Sequence, residues 1–168
     1  VGVVKLGFFG LVTKSTPKIS SPSANVVFDA DILSVARKTA SSLRSRGADV
    51  IIAITHMSEE EDKLLASDKI AGVNLVLGGH EHESLAVMVH RDEEQEDVRD
   101  EQNDGGVLVF KCGMNCNWVG CVDLDIAHSN NGNGSDVTSI FTSWSMNTVT
   151  KRTKEDKTQK EPEQRRDK

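Results

Sequence analysis

Two stretches of the sequence each end an apolar run in histidine: ADVIIAITHM at residues 48–57 and GVNLVLGGHEH at residues 72–82. Residues 50–54 are apolar without interruption, which is typical of a strand covered on both faces in a parallel sheet. Residues 73–77 predict a second short buried strand. Between the two, residues 59–71 place apolar side chains on one side behind an acidic first turn, which predicts the crossover helix.

The segments around this unit continue the alternation of strands and helices. Val3–Val12 predicts a strand, Thr13–Ala24 a loop, and residues 31–46 an amphipathic helix. Residues 107–111 and 118–126 predict two later strands, whose partial alternation favours antiparallel or edge pairing. Strands joined by long helical crossovers predict an α/β architecture with a parallel sheet.

The composition fits one domain and excludes some classes of partner. The chain has 168 residues and a formal net charge of −6, which argues against a basic surface for nucleic acid. No stretch reaches the roughly 18 apolar residues that span a bilayer, so no membrane segment is expected in this chain. The sequence opens at Val1 inside an apolar run, which predicts that it is a fragment of a longer protein.

Two regions lack the apolar residues that a core requires. Residues 91–104 carry eight acidic side chains and one apolar one, which predicts an exposed, disordered acidic insertion over 91–106. Residues 129–168 begin in Asn, Gly and Ser and end in mixed charge. We expect a polar, largely disordered tail there, with one short strand at 137–144. Residues 1–128 are accordingly assigned to the folded domain.

The candidate site consists of three histidines at the carboxyl ends of the two buried strands. His56 follows the first strand, and His80 and His82 follow the second behind Gly78 and Gly79. In open α/β sheets ligands bind outside the carboxyl ends of the strands, so the three imidazoles are expected to converge. An extended backbone would point His80 and His82 to the same side, and the two glycines would let the chain turn sharply. Because imidazole is the commonest side-chain metal ligand, all three are predicted to bind metal.

The three cysteines are interpreted as reduced thiols on or near a buried strand. Cys112, Cys116 and Cys121 are odd in number, and their spacing lacks a C-x-x-C pair. A zinc site would need His128 as its fourth ligand, an alternative that the sequence does not favour.

The order and spacing of several motifs resemble one family, the 5′-nucleotidases among the calcineurin-like metallophosphatases. The block at 48–57 resembles its G-A-D-V-I-I-A-L-T-H-M/L-G motif, and the block at 72–82 resembles its G-V-D-L-I-L-G-G-H-x-H motif. DKLLA at 62–66 matches D-x-x-L-A, and LGFFGL at 6–11 resembles an earlier strand of the family. VGCVDL at 119–124 resembles the closing V-G-x-V-x-L strand.

The resemblance covers residues 3–126 and implies the C-terminal half of a metallophosphatase domain, which is half of a four-layer α/β/β/α sandwich. It implies two divalent metal ions, Zn, Mn, Fe or Mg, in the intact domain. His56 and His80 would bind one ion and His82 the other, and a bridging water would attack phosphorus. The implied substrate is a small-molecule phosphate ester, in the first place a nucleotide.

Departures from the family pattern limit what is expected of this chain alone. Ser58 replaces a glycine and Asn74 an aspartate, and both changes are mild. The family's D-x-H, G-D and G-N-H-D/E motifs, which supply the bridging carboxylate and other ligands, do not occur in the 168 residues. Three imidazoles carry no negative charge to hold two dications, so at most one metal ion and no phosphatase activity are expected. With half the sheet missing, one face of the strands at 50–54 and 73–77 is expected to be uncovered.

Three functions remain open from the sequence, with no catalytic residue assigned. The first is a fragment of a dinuclear-metal phosphoesterase that, when whole, hydrolyses nucleotides or other phosphate monoesters. The second is a truncated, non-catalytic product that binds a partner, and the third is a module that binds one zinc ion. The upstream coding sequence distinguishes them, because the first requires the missing motifs to be there in frame.

Overall fold

The computed structural model describes residues 3–91, 106–130 and 135–149. The predicted acidic insertion lies outside the described residues except for its two ends, and so does the tail beyond residue 149. The strands and helices in chain order are β1 Leu6–Val12, α1 Thr16–Ile19, α2 Ile32–Ser45, β2 Val50–His56, α3 Glu59–Ser67, β3 Leu75–Gly78, β4 Ser84–Val89, β5 Val107–Cys112, β6 Trp118–Asn130 and β7 Ser135–Thr148.

Five strands form one sheet in the order β1-β2-β3-β5-β4. β1, β2, β3 and β5 run parallel, and β4 is antiparallel to β5. The prediction of an α/β architecture with a parallel sheet is confirmed. The antiparallel pairing expected of the later strands is found for β5 with β4 and for β6 with β7. Three details differ from the prediction: the short helix α1 lies in the predicted loop, β4 is an additional strand, and β5 lies inside the sheet between β3 and β4.

Both crossover helices begin at a side chain that caps them. The Asp31 carboxylate accepts a hydrogen bond from the Ser34 N–H at 3.0 Å, which satisfies a free donor at the start of α2. Ser58 and Glu61 form a capping box at the start of α3, in which each side chain accepts from the other's backbone N–H. Ser58 therefore caps the helix at a position where the 5′-nucleotidase motif has glycine.

No helix among the described residues has the length and hydropathy needed to cross a membrane.

The helices α2 and α3 pack on one face of the sheet. Alternate residues of the strands point toward these helices, because side chains alternate across a strand. Strand and helix residues together form a buried core, which includes Phe9, Ile51, Ala53, Val76, Val107, Val109, Ile32, Ala36, Ala40, Leu65 and Ala66.

The opposite face of the sheet is covered only in part. The antiparallel hairpin of β6 and β7 packs against a second buried cluster on this face, Val50, Ile52, Leu75, Leu108 and Phe110. Toward β1 and β2, Leu6, Phe8 and Ile54 are 45%, 51% and 52% exposed. The expectation of an uncovered face is met on β2 only at Ile54, because Val50 and Ile52 on that strand are 0% and 4% exposed. It is wrong at β3, where Leu75 is 2% exposed.

The β6–β7 hairpin is a second, two-stranded sheet. β7 contains the strand predicted at 137–144 and extends beyond it at both ends, and the domain boundary predicted at residue 128 falls inside β6. The part of the predicted tail at 135–148 therefore has regular structure. Helices, five-stranded sheet and hairpin form three successive layers, in agreement with half of an α/β/β/α sandwich.

Candidate metal centre

The strands β2 and β3 bring two of the predicted histidines to the same edge of the sheet. They run parallel with Thr55 opposite Gly78, so the residues that follow emerge side by side. The ring centroids of His56 and His80 lie 5.1 Å apart, with the ring planes at 78°. The structure therefore places this histidine pair at the carboxyl edge of the sheet, where ligands of open α/β folds bind.

The backbone of the H-x-H segment is not extended, which corrects a premise of the sequence analysis. His80 has a φ of 100° and His82 a φ of 64°, in the left-handed region that non-glycine residues rarely occupy. Gly78 and Gly79 are not among the glycines with positive φ, so the turn lies at the histidines. Because alternation of side chains holds only for an extended chain, the position of His82 does not follow from that of His80.

The described residues do not supply a complete donor set for a metal ion. Within the described part of the chain, no three His, Cys, Asp or Glu side chains are grouped so that they would hold a metal ion. A catalytic zinc site takes three protein ligands and a structural site four, so the His56–His80 pair fits part of a mononuclear donor set and not a dinuclear one. Metal binding by His56, His80 and His82 therefore stays a prediction.

All three cysteines are free thiols.

A buried lysine lies beneath the histidine loop. Lys111, near the carboxyl end of β5, is 1% exposed. Its ammonium donates hydrogen bonds to the Met57 carbonyl at 2.8 Å and the Gly79 carbonyl at 2.9 Å. A third bond, of 2.5 Å, reaches the Glu81 carboxylate. Because an ammonium has three N–H donors, these bonds use all of them.

A buried carboxylate from α3 completes this charged cluster. Asp62 is fully buried, and its Oδ2 atom lies 2.8 Å from the Lys111 Nζ. Among the described residues neither Asp62 oxygen has a well-directed hydrogen bond, since the Lys111 donors point to other acceptors. Burial raises the pKa of Asp62, and the nearby Lys111 ammonium opposes that rise. The two side chains are thus paired by charge in a buried environment.

Glu81 connects the cluster to the start of α3. Its second carboxylate oxygen accepts a hydrogen bond from the Glu59 backbone N–H, the kind of anion contact that a helix N-terminus favours. Burial acts to raise the pKa of Glu81, but the hydrogen bond and charge of Lys111 act against it and the net change is a lowered pKa. The residue between the two histidines is therefore held from two sides.

Gly78 makes room for the buried pair. A Cβ atom at residue 78 would lie 2.8 Å from Asp62 Oδ2, 2.9 Å from Thr55 Oγ1 and 3.0 Å from Lys111 Cε. Contacts of that length force a neighbour to move, and the neighbours here are buried. The glycine is therefore explained by the close approach of the ion pair and not by a sharp turn at this position.

Known proteins share this sequence over part of its length. A segment of 81 residues is 41% identical to the 5′-nucleotidase of Diplobatis ommata and covers 48% of this chain and 14% of that protein. A segment of 85 residues is 38% identical to the 5′-nucleotidase of Mus musculus, covering 51% and 14%. Over about half of its length the chain is similar in sequence to 5′-nucleotidases. No family model matches the sequence.

A bacterial relative extends the comparison to more of the chain. Over 122 residues, 72% of this chain and 8% of the other, the sequence is 29% identical to the trifunctional nucleotide phosphoesterase protein YfkN of Bacillus subtilis. The crystal structure of calcineurin-like phosphoesterase YfkN superimposes with a TM-score of 0.63 at 21% identity, covering 86% of this chain and 45% of that one. The chain thus has part of the calcineurin-like phosphoesterase fold and spans a minor share of the length of these relatives.

Lys111 and Asp62 were not predicted as site residues from the sequence, although each carries a signal. Lys111 follows the apolar run at 107–110, and lysine is almost never fully buried without a partner. Asp62 enters the sequence analysis only as the first letter of D-x-x-L-A. The two side chains come from distant parts of the chain, so only the folded topology shows that they form a pair.

Proposed function

We propose that this chain forms part of a metal-dependent phosphoesterase that hydrolyses phosphate monoesters, in particular nucleotides. The observation that carries the proposal is the His56–His80 pair at the carboxyl edge of the sheet. Both histidines lie in the two motif blocks that resemble 5′-nucleotidases. Calcineurin-like phosphoesterases are metal-dependent, and imidazole is the commonest side-chain ligand for metals.

In the proposed site His56 and His80 hold one divalent ion, and His82 serves a second ion in the whole protein. A divalent ion bound there polarises a phosphoryl oxygen and supplies an activated water. His56 is exposed and His80 half-buried, so solvent, substrate and further ligands have access to the positions that two imidazoles leave open. This chain would therefore contribute three ligands, of which His56 and His80 lie with ring centroids 5.1 Å apart.

The chain alone is expected to have no phosphatase activity. Its 168 residues lack the D-x-H, G-D and G-N-H-D/E motifs, and the described residues hold no group of three metal ligands. We expect no hydrolysis of p-nitrophenyl phosphate above buffer in excess Mn²⁺ or Zn²⁺. Hydrolysis by the purified chain that disappears in the His56→Ala variant would refute this expectation.

A second function, partner binding without catalysis, is supported by two observations. The described donor set is incomplete for a catalytic metal, and apolar side chains of β1 and β2 are about half exposed on one face of the sheet. In this alternative His56 and His80 are remnants of an ancestral site, and the loss of either has no effect on partner binding.

The transcript that encodes this chain separates the two functions. The phosphoesterase proposal expects D-x-H and G-N-H-D/E motifs in frame upstream of residue 1. It also expects the longer protein to hydrolyse adenosine 5′-monophosphate with Mn²⁺, with a loss of about 100-fold or more in His56→Ala, as for removal of an essential electrostatic group. An unrelated or absent upstream coding sequence would instead favour the non-catalytic alternative.

A further inference from the structure

We propose that Lys111 is a positioning residue that holds the histidine loop, residues 78–82, so that His80 faces His56. The relevance of this role to metal binding rests on the proposed function. The arrangement of the loop itself does not, because it is argued from hydrogen bonds between groups of this chain. The Lys111 ammonium donates its three hydrogen bonds to the Met57 and Gly79 carbonyls and to the Glu81 carboxylate, so it acts through the backbone and through Glu81.

One nitrogen atom connects the two segments that carry the histidines. Met57 directly follows His56, and Gly79 directly precedes His80. The carbonyls of Met57 and Gly79 both accept hydrogen bonds from Lys111 Nζ, at 2.8 and 2.9 Å. The end of β2 and the start of the loop are therefore fixed relative to one another by a single side chain.

The same nitrogen holds the chain on both sides of His80. It binds the Gly79 carbonyl before that residue and the Glu81 carboxylate after it, and the backbone between them makes its turn at His80 with φ of 100°. Sparsely populated backbone conformations of this kind persist where the surroundings over-determine them, and they cluster at functional sites. Lys111 provides such surroundings for His80.

The ammonium itself sits on a rigid support. Lys111 is 1% exposed on β5, inside the sheet, and Asp62 on α3 lies 2.8 Å away and is fully buried. Gly78 permits this approach, since a Cβ there would meet both members of the pair. A buried lysine with every donor used has little freedom to move, which suits it to fixing the loop that it binds.

The test compares Lys111→Met, which keeps the length of the side chain and removes the ammonium, with Lys63→Met as the control. Lys63 on α3 pairs at the surface with Glu59 and is 42% exposed. In the metal-free 168-residue chain, nuclear Overhauser contacts between the His56 and His80 ring protons report the pairing of the rings. Urea unfolding of each variant reports stability separately, and Co²⁺ titration reports metal affinity.

We expect the ring-to-ring contact in the wild type and in Lys63→Met, and its loss in folded Lys111→Met. Co²⁺ affinity should fall by about 10–100-fold in Lys111→Met, as it does when the outer partners of metal ligands are removed. A purely structural role would lower stability and leave the ring-to-ring contact in place in the folded protein. That result would overturn the proposal.

The two arms separate failure of the positioning role from failure of the proposed function. If the wild type binds no Co²⁺ while Lys111→Met loses the ring contact, the positioning role holds and the metal function fails. If His56→Ala abolishes Co²⁺ binding while Lys111→Met keeps both affinity and ring contact, the metal function holds and the positioning role is wrong.

Lys111→Met leaves Asp62 as a buried charge without its partner, and the variant could fail to fold for that reason. A second variant keeps the test informative if this happens. The double variant Asp62→Asn/Lys111→Met removes both charges, and replacing a whole buried ion pair is tolerated far better than breaking it. We expect it to fold and to lack the ring-to-ring contact. Retention of the ring-to-ring contact in the double variant would count against a positioning role. Failure of the double variant to fold would also count against it, because Lys111 would then be required for folding itself.

Discussion

The two faces of the five-stranded sheet differ in how completely this chain covers them. Under α2 and α3, Ile51, Ala53, Val76 and Val109 are fully buried. On the other face the β6–β7 hairpin covers β3 and β5, while Leu6, Phe8 and Ile54 on β1 and β2 stay about half exposed. The chain thus completes one core by itself and fills only part of the other.

The charged cluster belongs to the complete face. Lys111 follows Val107 and Val109 in the alternation of β5 and so points toward the helix layer, where Asp62 meets it. The incomplete face instead has a cavity of about 540 Å³, lined mostly by apolar residues, among them Leu6, Ile54, Leu77, Phe110 and Val122. The histidine pair is therefore supported from the face that this chain builds in full.

The largest loss of stability is expected on the complete face from Lys111→Ala. This change leaves the fully buried Asp62 carboxylate and the Glu81 carboxylate without their shared ammonium, which costs about 3–5 kcal/mol of unfolding free energy. The control is Glu59→Ala, which breaks the surface pair with Lys63 and costs about 0.3–0.5 kcal/mol. Urea unfolding of both variants checks the difference, and equal losses would show that the buried pair has no special weight.

A matched pair of isoleucines on β2 compares the two faces directly. Ile51 is fully buried under the helices and Ile54 is 52% exposed on the other face. Ile51→Ala should lower the unfolding free energy by about 2–5 kcal/mol because it leaves a cavity in a closed core. Ile54→Ala should cost about 1 kcal/mol or less, as for other substitutions away from a packed core. If Ile54→Ala lowers the unfolding free energy as much as Ile51→Ala does, the face of the sheet around Ile54 is covered in solution.

A smaller, pH-dependent effect is expected where Arg37 joins the two helices. The Arg37 guanidinium makes hydrogen bonds to Asp68 and lowers the pKa of that carboxyl below its ordinary value of 3.8. Because the folded-state pKa is lowered, the ionised Asp68 carboxyl stabilises the folded protein at pH values above the unfolded-state pKa. This stabilisation is lost as the pH falls through the folded-state pKa. The contribution to stability is small, because Arg37 is 41% exposed to solvent and water screens the pair.

The measurement is urea unfolding of the wild type and Asp68→Asn from pH 7 to pH 3. The difference between them should be constant down to about pH 5 and should shrink at lower pH as the unfolded-state carboxyl takes up its proton. A difference that grows on acidification would contradict the sign of the pKa shift.

Local sequence patterns were sufficient to predict the central elements of the fold. The uninterrupted apolar run at 50–54 marked β2, and the three- and four-residue spacing of apolar residues at 31–46 marked α2 with its Asp31 cap. β4 at 84–89 was not predicted because it lies directly after the histidine block. Its side chains are mostly half-buried, so apolar and polar residues do not alternate clearly along it. The antiparallel pairing expected for β5 is found with β4, whereas its additional parallel pairing with β3 was not predicted, because neighbouring strands in the sheet are chosen by tertiary contacts.

The candidate site was predictable in its location and not in its internal geometry. That His56 and His80 share an edge follows from two parallel strands ending side by side. The left-handed backbone at His80 and His82 does not follow from their own sequence, since histidine has only a weak tendency to adopt it. It accompanies hydrogen bonds to Lys111, and long-range contacts of this kind leave no periodic pattern in the sequence.

The central claim, that His56 and His80 form one metal-binding unit, is tested most directly by calorimetric titration of the whole chain with Co²⁺. We predict binding of one ion per chain, lost in His56→Ala and in His80→Ala and unchanged in His82→Ala and in His90→Ala. The absorption spectrum of the complex should show imidazole and no thiolate ligation, since the three cysteines are not part of the proposed site. Absence of binding, or binding that survives both His56→Ala and His80→Ala, would contradict the account.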